Sequence, residues 1–207
     1  MKKTLCLLLT CLLLCALLGG CGKKSLSEAD LSLTISGTAV QPDTSVSALL
    51  DAFGGDYTYS EAVSCVYTGM DKTYAYSDLI LYTYPDGDAD RLLELYCTAD
   101  VQTAQGVSIG ASRKDVEAAY GTDYTQAGNT LTYALAAQDS LTVPASLYFE
   151  LDGDTVCAIG LTSAHRAEKG HEKAFCAASI SASDARLRRL RGEAVYARRG
   201  TDRQCGA

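Results

Sequence analysis

Leu79-Ile-Leu-Tyr-Thr-Tyr-Pro-Asp-Gly-Asp88 is the stretch whose reading decides the fold. Its first six residues alternate aliphatic or aromatic side chains with neighbours that can face the other way, which predicts a β-strand. Asp86-Gly87 then supplies the positive φ that a tight hairpin turn needs. The strand Leu92 to Thr98 closes the hairpin. The same layout recurs downstream, where Ser146 to Leu151 runs into Asp152-Gly153-Asp154 and returns as Thr155 to Thr162. The Asp-Gly turns are 66 residues apart, as are Tyr67 and Tyr133. A shared offset over several landmarks implies an internal repeat.

Upstream of each hairpin the landmarks continue. Gly54-Gly-Asp-Tyr-Thr58 matches Gly121-Thr-Asp-Tyr-Thr125, and Ser64-Cys-Val-Tyr67 parallels Thr130-Leu-Thr-Tyr133. Before each glycine lies a short helical run. In Val46 to Phe53, Val46, Leu49, Leu50 and Phe53 share one face; in Arg113 to Tyr120, Val116, Ala119 and Tyr120 do so. A glycine at the position after each helix stops it cheaply. The expected fold class is therefore α+β, with two tandem units, each a short helix packed on a three- to four-stranded antiparallel sheet. Two small sheets and one continuous sheet both remain open. Phe53 and Tyr120 are expected to be equivalent last anchors of their helices, with Tyr120 contributing less if its hydroxyl reaches water. The expected organisation is a signal peptide over 1–20, a tether over 21–32, the first unit over 33–100, the second over 101–163, and a basic tail over 164–207.

Several stretches carry a resemblance. Ser64-Cys65, Gly69-Met-Asp-Lys-Thr-Tyr74, Thr83 to Asp88 and Gly106-Val-Ser-Ile-Gly-Ala-Ser-Arg-Lys-Asp-Val-Glu-Ala-Ala-Tyr-Gly121 resemble an uncharacterised group of Clostridia-type lipoproteins. The last phrase is also similar to the helix entry of β-lactamase-inhibitor-protein-like repeats, a helix-plus-sheet unit shared by small outer-membrane assembly lipoproteins. The resemblance spans about residues 33 to 161. It implies binding of other proteins through a sheet face or loops, and it places no contact residue here.

The chain opens Met1-Lys2-Lys3 and is then apolar from Thr4 to Leu18. That is a charged region followed by an apolar one, the pattern of an export signal. The run is shorter than the roughly 20 residues that span a bilayer. It ends in Leu18-Gly19-Gly20-Cys21, which resembles the bacterial lipobox. The resemblance implies cleavage before Cys21 and a lipid (diacylglycerol, with palmitate the typical acyl chain) on its sulfur. The expected location is the extracytoplasmic face of the cell membrane.

Charge is unevenly spread. Residues 22–161 hold 6 Lys and Arg against 20 Asp and Glu, whereas 162–207 hold 10 against 5. The acidic part argues against a nucleic-acid partner. The basic tail reads as an appended segment or as the product of a reading-frame shift. Ser183 to Arg199 could form a basic helix for anionic lipid or wall polymer. Cys65, Cys97 and Cys157 lie in strand-like runs, where a buried thiol is the default and one disulfide is an alternative.

No catalytic constellation emerges. Residues 22–161 contain no His, which removes Ser-His and Cys-His chemistry from the expected fold. Asp86, Asp88 and Asp90 mimic the first calcium ligands of an EF-hand, but Arg91 and Cys97 stand where its Gly and bidentate Glu belong. Neither a metal nor a cofactor is expected. Tyr57, Tyr59, Tyr67, Tyr74, Tyr76, Tyr82 and Tyr84 crowd the first unit. They read either as a recognition surface or as half-buried strand positions. The expected function is a lipid-anchored binding or assembly module for a protein or cell-envelope partner. The alternative is a carboxylate-dependent enzyme acting on cell-surface glycans.

Overall fold

A computed structural model of the chain describes residues 24–64, 66–140 and 142–166. The expected signal peptide, Cys21, Cys65 and all but the first residues of the basic tail lie outside the described residues.

Short alternating runs become strands, as their period dictates. β1 (Leu33–Ile35) and β2 (Thr38–Val40) precede α1 (Val46–Phe53). There follow β3 (Thr58–Val63), β4 (Met70–Ala75), β5 (Leu79–Asp86), β6 (Ala89–Cys97) and β7 (Val101–Thr103). After α2 (Arg113–Tyr120) come β8 (Thr125–Ala127), β9 (Thr130–Ala134), β10 (Thr142–Val143), β11 (Ser146–Asp152), β12 (Thr155–Thr162) and β13 (His165–Arg166). The helix spans coincide with the two expected ones. Gly54 (φ 80°) and Gly121 (φ 82°) end them, each donating its N–H to the carbonyl four residues back. A positive φ there favours glycine over any side chain.

The two-unit α+β expectation is corrected. One antiparallel sheet of eight strands runs through both halves in the order β3-β4-β5-β6-β12-β11-β9-β8. The chain is predominantly β, and two eight-residue helices are too small to define separate helix-on-sheet units. The physical reason is the edge of each half. β6 and β12 would each be a long edge strand with open N–H and C=O groups, and pairing them removes both edges. Ile159 faces Cys97, Gly160 faces Tyr96, and Leu161 faces Leu95. Leu95 and Cys97 match Ile159 and Leu161 in the repeat, so the register makes the seam nearly twofold, with Tyr96 and Gly160 on the axis. β1 and β7 of the small sheet β2-β1-β7 pair in the same symmetric manner, with Thr34 facing Gln102 at the centre.

The repeat is carried by structure at positions other than some that were aligned above. Tyr76 donates its hydroxyl to the Gly54 carbonyl at 2.9 Å, and Tyr133 donates to the Gly121 carbonyl at 2.8 Å. Tyr57 packs on Tyr76, and Tyr124 on Tyr133, both with ring centroids 5.4 Å apart. Tyr76 is thus the counterpart of Tyr133, and Tyr67 is not. Tyr67 instead stacks on Tyr84 near the end of the first hairpin. Both long hairpins carry a bulge two residues before the seam residues Leu95 and Ile159, with Leu93 and Cys157 as the extra residues, so the first hairpin reaches farther from the seam to its Asp-Gly turn.

The core lies on one face of the large sheet. Leu81, Leu95, Leu131, Leu147, Phe149 and Ile159 meet Val46 and Leu49 of α1, Val116 and Tyr120 of α2, and the small sheet's Leu33, Ile35 and Val101. α2 opens with a capping box in which the Ser112 hydroxyl accepts the Asp115 N–H and Asp115 accepts the Ser112 N–H. The Ser112 hydroxyl also donates to Asp115 Oδ2, and that bond, followed by the one from the Ser112 N–H, holds the Asp115 carboxyl below the ordinary carboxylate value. The part of the expected tether from Lys24 onward is seated on the fold. Lys24 Nζ donates to the Ala119 carbonyl, and Asp30 and Leu31 are buried. At the other end, pairing runs past Thr162. Buried Ser163 donates its N–H to the Leu93 carbonyl and accepts the Asp43 N–H, and β13 pairs with β10. Described structure therefore continues to Arg166, three residues beyond the expected unit boundary.

Candidate functional site

The face of the sheet opposite the helices is the one that carries polar chemistry on strands. Strand alternation sends Glu94 and Tyr96 of β6 to that face, together with Ala158, Gly160 and Thr162 of β12 and Tyr148 and Glu150 of β11. Ile80, Tyr96, Tyr148 and Ala158 form a buried cluster of their own there, with Tyr82 and Ala75 against it. Tyr148, Gly160 and Tyr96 stand directly opposite one another across three adjacent strands.

Gly160 is what lets the face close. A Cβ at that position would lie 2.0 Å from the Tyr148 ring, so the ring occupies the space that a side chain would fill. From there the Tyr148 hydroxyl donates to Glu94 Oε1 at 2.6 Å, crossing the middle strand diagonally. Tyr96 crosses in the opposite sense and donates to Glu150 Oε2 at 2.9 Å. Two tyrosines and two glutamates thus make a four-membered lattice over β12. Both rings are held at both ends, by packing on small residues and by a charge-assisted hydrogen bond. The rings themselves are nearly buried, Tyr96 at 7 % and Tyr148 at 8 % exposure, so the lattice stiffens this face, and the half-buried Glu94 and Glu150 mark where it meets its surroundings.

Sequence reasoning singled out neither glutamate. A signal did exist: Glu94-Leu95-Tyr96 and Tyr148-Phe149-Glu150 are the same strand-spaced pair in reverse order. Only the strand order brings them together, because β6 and β11 are neighbours of the same strand, β12.

The tyrosines of the first unit do not gather into one surface. Tyr57, Tyr74 and Tyr76 pack on the helix side. Tyr59 lies on the outermost strand, Tyr67 and Tyr84 stack at a hairpin end, and Tyr82 joins the helix-free face. Tyr84 donates to Asp43 Oδ1, and burial together with that bond pushes its phenol upward in pKa. Two of the three aspartates around the first Asp-Gly turn are paired with basic side chains. Asp90 pairs with Lys72 Nζ at 2.7 Å and Asp86 with Arg91 Nε at 3.2 Å. Those bonds belong to a hairpin end, as the departures from the EF-hand pattern already indicated.

The cysteines divide. Cys157 is disulfide-bonded, which replaces the default of a buried thiol for that residue. Cys97 is a free thiol, 1 % exposed, and burial pushes its pKa up to about 11. Reactivity follows thiolate and access. At pH 8 a thiol reagent is expected to leave Cys97 unlabelled in the folded protein and to label it after denaturation. Rapid labelling of Cys97 under native conditions, read by peptide mass spectrometry, would show that β6 opens locally.

Asp71 of β4 is the described side chain least well served. Its Oδ1 is buried with no hydrogen-bond partner, and burial raises its pKa against the lowering effect of a Ser64 bond. A carboxyl with a raised folded-state pKa contributes most at acid pH, and the contribution fades as pH rises through that pKa. Asp71→Asn is therefore expected to gain stability relative to the parent as pH rises from 4 to 8. Denaturant melts across that range decide it, and a gap that narrows with rising pH would overturn the assignment.

No protein-family model matches the chain, and no match was found among curated proteins or among solved structures.

Proposed function

We propose that the protein is an exported lipoprotein, anchored to the cell membrane through a lipid on Cys21, whose folded body is a binding or assembly module for a protein or cell-envelope partner. The anchor rests on Leu18-Gly19-Gly20-Cys21 at the end of the apolar leader. The resemblance to Clostridia-type lipoproteins and to tandem β-lactamase-inhibitor-protein-like repeats supports the same reading. The binding role rests on the Tyr96, Tyr148, Glu94 and Glu150 lattice. It spends two large aromatics on the sheet face away from the main core, where folding alone is served as well by short β-branched residues. The rings are nearly buried and so hold the face rigid, while half-buried residues beside them, such as Thr132, are what a partner meets; a rigid, pre-ordered face lowers the cost of binding.

Two measurements test this together. Mass spectrometry of the membrane fraction is expected to find the mature protein beginning at a diacylated Cys21, and an unmodified Cys21 would remove the anchor from the reading. A photo-crosslinker at Thr132 on the same sheet face, installed in cells, is expected to capture one discrete envelope partner. The same probe at Ser47 on α1 is expected not to capture it. Equal capture from both positions would move the binding surface off the sheet.

A further inference from the structure

The two outer edges of the large sheet are finished differently. β8 has three residues, and at its middle Gln126 accepts a hydrogen bond from Arg113. β3 is its counterpart in the repeat, yet it has six residues, all exposed. Among the described residues no strand pairs with the outer side of β3. Edge strands are normally shortened, charged or covered, because open N–H and C=O groups invite another strand. Only Glu61 is charged on β3, and the Tyr59 hydroxyl beside it donates to its carboxylate. Among the described residues the large hydrophobic side chains that stand exposed are Tyr59, Val63 and Val143, so two of the three are on this strand. Tyr59, Glu61 and Val63 share one side of it, opposite Tyr74, Lys72 and Met70 of β4.

We propose that β3 is a dimerisation edge, at which the strand pairs antiparallel with β3 of a second copy of this chain about a twofold axis at Ser60. One sheet would then run through both copies. The sequence of the strand selects the register. Pairings that keep like faces of the two sheets on one side place a single residue on the axis. With Glu61 on the axis, two carboxylates would stand directly opposite each other, which is unfavourable. With Ser60 on the axis, each Tyr59 faces the partner's Glu61, so the Tyr–Glu hydrogen bond now made within the strand can be made across it. Thr58 then faces Ala62 of the second copy. A six-residue ribbon is a small interface, so the dimer belongs to the weak, concentration-dependent class.

The test uses the full chain in detergent. Residues on such an axis lie about 4.5–5.5 Å apart at Cα, inside the range a disulfide spans. Under mild oxidation, Ser60→Cys is expected to give about tenfold more covalent dimer than Thr58→Cys, whose sulfur would lie well beyond disulfide reach of its copy. Light scattering is expected to show mass rising towards the dimer with concentration, and Ser60→Lys, which sets two cations on the axis, is expected to abolish that rise. The proposal is overturned if the protein stays monomeric at every concentration. It is equally overturned if a dimer forms that Ser60→Lys does not weaken and Ser60→Cys does not trap, since the contact then lies elsewhere.

Discussion

Tyr120→Ala is expected to cost about 3–5 kcal/mol, the range for deleting a large buried aromatic, and Phe53→Ala distinctly less. The two residues are the equivalent last anchors of α2 and α1. Each packs against the tyrosine that caps its helix, Tyr120 on Tyr133 at 5.5 Å and Phe53 on Tyr76 at 6.2 Å. They differ in burial. Tyr120 is 3 % exposed and touches Phe149 as well, whereas Phe53 is only partly buried at the margin of the core. Burial also raises the Tyr120 phenol in pKa, and its oxygen accepts the Gln105 N–H rather than facing water. Tyr120 is expected to contribute less only if its hydroxyl reaches water; with that oxygen paired and the ring buried, the expected order is the reverse. Chemical denaturation of the two variants decides the matter. A Phe53→Ala loss equal to or larger than that of Tyr120→Ala would mean that the first helix, not the second, anchors the core.

Gly160→Ala is expected to be the most damaging small substitution, at about 1–3 kcal/mol for overpacking a filled site. Its φ lies outside the left-handed region, so backbone strain is not the cause. The cost is displacement. The new methyl takes the space of the Tyr148 ring, which must swing away and give up its bond to Glu94. A double-mutant cycle isolates this. In a Tyr148→Ala background the added methyl should cost little or nothing, because its obstacle is gone. If Gly160→Ala costs the same in both backgrounds, the ring is not what fills the site.

Much of the local structure was legible in the chain. Both helices follow from apolar spacing ended by Gly54 and Gly121, and both long hairpins from their Asp-Gly turns. The equivalence of Tyr67 and Tyr133 was not sound, and the reason is instructive. Tyr76 lies 22 positions after Gly54, but Tyr133 lies only 12 after Gly121. The first unit spends the difference on the longer β3 and its loop to β4. The second unit recovers it in the long connection from β9 to β11, so the later turns fall back to nearly the original offset. Two compensating insertions thus made unrelated residues look aligned. The single sheet was left open for a different reason. Whether β6 meets β12 depends on the edge of each half, and alternation within a strand carries no information about its neighbour. The Tyr–Glu lattice depends on the same pairing and was hidden with it.

The β6–β12 seam also sets an order of events. Cys97 and Ile159 face each other although more than sixty residues separate them in the chain. β5–β6 and β11–β12 are hairpins whose partners are near neighbours in sequence. Closing a short loop costs less entropy than closing a long one, so local pairs form before distant ones. The two hairpins should therefore acquire their hydrogen bonds first, and the seam should zip afterwards. Pulse-labelled hydrogen exchange during refolding can time this. Protection of β5–β6 and β11–β12 amides is expected to precede that of the Leu95 to Cys97 amides that face β12, and simultaneous protection would mean that the halves assemble as one unit.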